Sequence, residues 1–208
     1  MILIGQYDSS FVRRVGIALR LYNLSFEHRP WSVFSDGDRV QSVNPLMRVP
    51  ALILDDGDVL VDSPSMLDYL DGLMPEDQRL FPTREPERRS AIRIAALATG
   101  MADKGVSLFY ELRLHEKPAV GWTERLRGQT LATAAALEEA RGDRESVDFW
   151  GDRIGHSDIA VACAWRHVRE AHPGLLDEAL YPKLAAFCSY LESRPVFREI
   201  SQPFIAPA

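Results

Sequence analysis

Val49-Pro50-Ala51-Leu52-Ile53-Leu54-Asp55-Asp56-Gly57-Asp58-Val59-Leu60-Val61-Asp62-Ser63-Pro64 decides the fold of the first half of the chain. Two short apolar runs, 51–54 and 59–61, flank an acidic turn with Gly57 in it. That pattern reads as a β-hairpin. Pro50 stands at a strand beginning, where a missing N–H costs the ladder nothing. Ser63 followed by Pro64 reads as an N-cap and a first helical position. The helix it opens carries its apolar stripe on Met66/Leu67, Leu70 and Leu73/Met74.

Upstream, Ile2-Leu3-Ile4 reads as a buried strand. Phe11, Val15, Ala18, Leu19 and Tyr22 make one helical stripe, and a second strand falls around Phe26–Trp31. Ser35–Val43 is polar and poorly periodic, a loop or short irregular helix. The order is therefore βαβ, a loop, then ββα. Downstream, Pro75–Pro86 is polar, holds three prolines and reads as a linker. Strand signals then vanish: helices are expected over Ala91–Leu114, Trp122–Ala140, Asp158–Ala171 and Pro182–Ser193, the last closed by Arg194-Pro195. The expected division is an α/β domain at 1–76, a linker at 77–86 and an all-α domain at 87–208.

Composition narrows the function. The 208 residues are 46% hydrophobic and 26% charged, with 24 basic against 30 acidic side chains and a net charge of −6. Residues 1–80 hold −5 of it. Binding to nucleic acid requires a basic face, so that partner class is not expected. Two cysteines exclude a disulfide framework. The start, MILIGQYDSS, lacks a basic n-region and reads as no signal peptide. No apolar run approaches the ~18 residues of a membrane span. No HExxH, CxxC or P-loop implies a metal or nucleotide. A cytoplasmic protein acting on small molecules is the expectation.

Four features of the first half point to one place. Tyr7-Asp8-Ser9-Ser10 leads from the first strand into the first helix, where free N–H groups and the helix dipole favour an anion. A hydroxyl here can donate to a thiolate or oxyanion, or serve only as a cap. Val49-Pro50, if cis, would expose main-chain groups to an extended ligand. Asp62-Ser63 could hold an ammonium and a carboxylate, the head of an amino acid, or could simply cap. Asn44-Pro45 signals a turn just before them.

In this order and spacing, the chain resembles the glutathione transferase family over essentially its whole length. The resemblance rests on Ser9-Ser10-Phe11-Val12-Arg13-Arg14-Val15, on Asn44–Pro50, on Asp62-Ser63 with Met66–Leu70, on Gly155–Ala160, and on Arg194–Phe197. It implies a thioredoxin-like N-terminal domain, an all-α C-terminal domain, a homodimer and glutathione as co-substrate. Carried over by residue, Ser9 would hydrogen-bond the glutathione sulfur, with Ser10 and Tyr7 as competing candidates. Val49 would pair with the cysteinyl backbone, with Pro50 cis. Asp62 and Ser63 would hold the γ-glutamyl ammonium and carboxylate, and Gln41 and Arg48 the glycyl end. Phe11, Met101, Val106, Phe109, Tyr110 and Arg113 are the candidates for an electrophile site between the domains.

Several positions depart from the family pattern. Met47 stands where a glycine is usual in the Asn-Pro-x-Gly stretch, Asp62 replaces a glutamate, and Ser10 stands where many bacterial members carry proline. Gly155 replaces the N-cap Ser/Thr three residues before Asp158, leaving half a capping box. Cys163, Cys188 and Trp165 read as core, and His167 carries no functional signal. The implied activity is conjugation of the glutathione thiolate to an apolar electrophile, a detoxification chemistry. The alternatives are an isomerase of the maleylacetoacetate type, which typically has cysteine where Phe11 stands, and a non-catalytic binding protein of the same fold.

Overall fold

The computed structural model describes residues 1–143 and 153–206. Strand β1 (Ile2–Ile4) runs into helix α1 (Ser10–Leu21), then β2 (Glu27–Arg29), α2 (Gly37–Val43), β3 (Ala51–Ile53), β4 (Val59–Val61) and α3 (Ser63–Gly72). The four strands lie in the order β2-β1-β3-β4. The parallel β1–β2 pair aligns Ile4 with Arg29; the antiparallel pairs align Ile4 with Ala51 and Ala51 with Val61. Leu3, Ile4, Ala51 and Leu52 are fully buried, as expected for strands covered on both faces. This is the thioredoxin-like arrangement that the resemblance implied.

Beyond a short stretch of irregular chain, the structure is helical: α4 (Glu87–Leu114), α5 (Val120–Arg141), α6 (His156–Ala171), α7 (Pro182–Ser193) and α8 (Pro195–Glu199). Residues 156–165 of α6 are buried without interruption, which makes α6 the central helix, with apolar residues on every face over 159–165. Its neighbours include α1, α4 and α7, and the core of the sheet domain runs into that of the helical region without a break.

Of the two alternatives for 35–43, the structure has the short helix, at residues 37–43. Two readings shift. Arg194-Pro195 ends α7 and at once starts a fifth helix, with Pro195 in its first turn where proline is tolerated. Ser63 is not the cap of α3: Asp62 is, at φ 73°, and Ser63 is the first helical residue. The chain reverses in the left-handed region as it leaves β4, and this turns the Ser63 hydroxyl inward.

Gly155 has a tertiary explanation. The main-chain carbonyl of Leu80 lies 2.8 Å from where a Cβ on Gly155 would be, and it accepts a hydrogen bond from His156 N–H at 3.0 Å. A carbonyl from the irregular stretch thus supplies an acceptor that a capping hydroxyl would otherwise provide. Asp158 performs the other half, accepting from Gly155 N–H at 2.8 Å.

Buried histidines tie the helices together. His172 bonds the Gly105 carbonyl at 2.8 Å through Nε2, and burial holds its pKa below the usual value. A folded-state pKa below the unfolded one contributes stability that is present above pH ~6.5 and lost as pH falls through the folded value. Lowering the pH from 7.5 to 5.5 should therefore depress the melting temperature. His172→Gln, which keeps a donor near Nε2 and cannot titrate, should flatten that slope by up to ~1.4 kcal/mol per pH unit. Thermal melts across pH check this. Gly155→Ser should destabilise by at least ~1 kcal/mol, or roughly 2–4 °C, despite serine being the better cap in general, because its Cβ would collide with the Leu80 carbonyl.

Candidate functional site

Strand register brings the three predicted segments to one end of the sheet. Ile4 and Val61 both sit opposite Ala51. The chain therefore leaves β1 at Gly5, enters β3 from Val49-Pro50 and leaves β4 at Asp62-Ser63, all side by side. Gly5 permits this closeness. At φ 123°, a Cβ there would lie 2.5 Å from Val12 of α1 and 2.8 Å from Val49. Only glycine fits between the first turns of α1 and the Val49 side chain.

Ser9 is the N-cap residue of α1, yet its hydroxyl makes no capping hydrogen bond. It is half-buried, at the helix end with its free N–H groups and positive dipole. Ser10 is buried at 4% exposure, and its Oγ has no partner. Tyr7 faces elsewhere: its ring stacks on His28 at 3.9 Å and meets the Gly16 face of α1. Burial pushes its phenol up to about 12, with Arg20 and Glu199 as the nearby charges. The Tyr7 ring is thus held by packing against His28 and α1, whereas the two serines stand at the α1 N-terminus.

The Val49–Pro50 peptide is cis. Among the described residues, neither Val49 N–H nor its C=O takes a hydrogen-bond partner. The preceding loop is held by buried Asn44, whose Nδ2 donates to Arg48 C=O at 2.7 Å and whose Oδ1 accepts from Leu46 N–H at 3.0 Å. Met47 adopts φ 51°, so the loop keeps a left-handed residue where a glycine would be free of strain. The penalty is about 1–2 kcal/mol.

Asp62 is exposed, and its φ 73°, ψ 127° belongs to a region that side chains rarely adopt. Ser63 is 1% exposed with an unpartnered Oγ, at the N-terminus of the ten-residue α3. Within electrostatic range of Asp62 is Arg14 of α1, a residue to which sequence alone assigns no separate role. It is 3% exposed, its Nε is unpartnered, and burial lowers its pKa to about 10 against the pull of Cys163 and Asp62. Two helix starts, a buried unpartnered hydroxyl and a buried guanidinium favour an anion here; Asp62 at the surface favours an ammonium beside it.

The far wall is α4. Arg48 pairs with Asp103 at 3.7 Å, and Phe34 meets Tyr110 edge-on at 5.6 Å, so the face of α4 that carries Asp103 and Tyr110 looks onto the loops of the sheet domain. Val106 lies between them at helix spacing. Phe11 and Phe109 are half-buried, Arg113 and Gln41 exposed. Met101 is different: it is fully buried in the core, so it cannot line a cleft. Its place in the helical stripe reflects packing.

Comparisons with known proteins agree with this architecture. The chain matches the glutathione S-transferase N-terminal domain family over residues 3–78 and the C-terminal domain family over 121–189. A glutathione S-transferase from Methylobacterium radiotolerans, solved in complex with glutathione sulfonate, superposes with a TM-score of 0.89 at 29% identity, covering 100% of this chain and 98% of that one. A glutathione transferase family member from Pseudomonas fluorescens, with bound glutathione, gives 0.83 at 30% identity over 98% and 99%. The maleylacetoacetate isomerase of Pseudomonas aeruginosa is 29% identical over 210 residues, 96% of this chain and 94% of that protein. With both family domains present in order and a solved relative at 30% identity along its length, this chain belongs to the glutathione transferase family.

Proposed function

We propose that this protein is a serine-type glutathione transferase in which Ser9 stabilises the glutathione thiolate for attack on a small apolar electrophile. The observation that carries this reading is the convergence, at one end of the sheet, of an uncommitted Ser9 hydroxyl, an unpaired Val49 main chain and the orphaned Ser63 hydroxyl. In this reading the cysteinyl residue pairs with Val49 as an added antiparallel strand. Its γ-glutamyl carboxylate accepts from Ser63 and the α3 N-terminus, its ammonium meets Asp62, and its glycyl carboxylate lies toward Arg48 and Gln41. The Arg48–Asp103 pair is exposed, long and weak, so it does not withhold the guanidinium.

A free thiol with a pKa of ~8.5 is mostly protonated at neutral pH, and the thiolate is the nucleophile. Lowering it by about two units takes roughly 2.7 kcal/mol. One O–H···S⁻ bond contributes ~1.5–3 kcal/mol and a helix N-terminus ~0.3–1. The two together suffice. The proton leaves to solvent, and the sulfur forms the new bond to the electrophilic carbon as that carbon's bond to its leaving group breaks and the group departs to solvent with the electron pair. The α4 residues Val106, Phe109, Tyr110 and Arg113, with Phe11 opposite, receive the apolar body. We place the enzyme in the cytoplasm as a homodimer acting in detoxification, with no metal or nucleotide. Exposed Tyr69 on α3, Leu73 at its C-cap and Ile92 on α4 support a second copy as partner.

The similarity to the isomerase favours a second reading, in which the thiolate adds to a cis double bond and departs again, so that glutathione is regenerated. Phe11 in place of cysteine counts against it. Measuring glutathione consumption with an aromatic electrophile and with a cis-enedione separates the two, and binding to immobilised glutathione without turnover of either would favour a non-catalytic protein.

Ser9→Ala should raise the pKa of bound glutathione by one to two units and cut kcat/KM at pH 6.5 by about 10–100-fold. Ser10→Ala and Tyr7→Phe should change it by less than about threefold. Unchanged turnover in Ser9→Ala would overturn the assignment. Asp62→Gly should relieve the strained backbone, raising stability by ~1 kcal/mol and the melting temperature by roughly 2–4 °C, while weakening glutathione binding. Calorimetric melts and glutathione titration read the two effects apart.

A further inference from the structure

The loop that presents Ser9 is held from the helical region. Tyr7 N–H donates to Gln202 Oε1 at 3.3 Å, and the Asp8 carboxylate accepts from Ile205 N–H at 3.2 Å. The Asp8 carbonyl, one peptide before Ser9, bonds His167 Nδ1 at 3.0 Å, a contact 159 residues apart in sequence. Gln202 and Ile205 belong to the irregular C-terminal segment, which α6 itself holds. Arg166 donates to Ser201 Oγ at 2.6 Å and to Gln202 C=O at 3.1 Å, and Glu170 accepts from Phe204 N–H at 3.0 Å. Phe204 lies edge-on against His167 at 5.7 Å and against Phe109 at 5.3 Å. The α6 helix therefore grips the Ser9 loop twice, once directly through His167 and once through the tail.

We infer that His167 is a positioning residue for Ser9, fixing the loop carbonyl next to it so that the Ser9 hydroxyl meets the glutathione sulfur. The inference rests on the Ser9 reading above. A carbonyl only accepts, so Nδ1 carries the proton, and the buried Nε2, which has no partner, is bare. Burial lowers the ring's pKa against the opposing Asp8 carbonyl, which keeps it neutral. Beside the edge-on contact with Phe204, one donor, Nδ1–H, is thus its polar contribution. Ser9 is the N-cap, with no side-chain bond of its own to orient it. Its placement depends on the backbone on either side: α1 after it and the Asp8 carbonyl before it.

The test compares three substitutions in the full chain. In His167→Asn an amide N–H can replace Nδ1–H; in His167→Gln, of similar polarity, the amide sits one bond farther out and misses the Asp8 carbonyl; His167→Ala removes the donor. The readouts are the pKa of enzyme-bound glutathione from its thiolate absorbance, and the split of kcat from KM for glutathione. His167→Ala and His167→Gln should raise the thiol pKa by about one unit and lower kcat at pH 6.5 about tenfold, with KM within about twofold. His167→Asn should stay within about twofold of the parent. A structural role alone would not distinguish Asn from Gln in the thiol pKa. If His167→Ala fails to fold, the Asn–Gln pair decides, and equal behaviour of the two overturns the inference. If Ser9→Ala raises the thiol pKa and none of the His167 variants does, the inference falls and the Ser9 reading stands. If Ser9→Ala leaves it unchanged, both fall.

Discussion

The Asp71 carboxylate is the contact on which the joining of the two halves depends. It accepts from Tyr22 at the end of α1, from His156 Nε2 at the start of α6 at 2.9 Å, and from the Leu80 and Phe81 N–H groups at 3.2 Å each. Burial pushes this carboxyl up, but the hydrogen bonds from His156 and Tyr22 outweigh it and hold the group below the usual carboxylate range. A buried charge is tolerable only with such a set of donors. Because two of them are main-chain groups of the stretch between the halves, that stretch has one permitted path. The Leu80 carbonyl on that path then bonds the first turn of α6. Fixing α6 fixes His167, and His167 reaches the loop before Ser9.

What the sequence made legible is what short-range physics encodes. The hairpin around Gly57 and the ends of α7 follow from local turn and proline chemistry, and the observed Pro182–Ser193 helix coincides with the expected one. The inward-facing Ser63 does not follow. It depends on φ 73° at Asp62, and an aspartate there carries no sign of that backbone as a glycine would. Met47 hides the left-handed turn at 44–48 in the same way. Gly155 looks like a lost cap until the Leu80 carbonyl is seen 2.8 Å from its missing Cβ. In each case a partner distant in sequence, or a strained main chain, overrides the local signal.

The same distinction separates Met101 from Tyr110. Both fall on a helix face by period, but one faces the core and the other the loops of the sheet domain. Periodicity finds stripes without saying which of two buried faces a stripe meets. His167 shows the converse. A histidine in a helix of alanines and valines gave no signal by itself, although a buried imidazole needs a partner and the partner was certain to be distant.

Charge gives the final constraint. The first 80 residues hold a net −5, yet a site for carboxylates is proposed there. Arg14 resolves part of this conflict. Its guanidinium is buried with Nε unpartnered and, among the described residues, no ion pair, a state that costs several kcal/mol unless something anionic shares the field. Among the described residues, the acidic groups that act on it are Asp62, at the surface, and the Cys163 thiol. Burial raises that thiol to about 11, so it stays uncharged at neutral pH. Salt screens Asp62 and the other exposed carboxylates over ~8–10 Å, but it screens a buried guanidinium far less. The net charge therefore acts at long range and weakly, while Arg14 and the two helix starts act at the site itself. An acidic domain can accordingly hold an anionic ligand, provided that its few positive groups are the ones kept away from water.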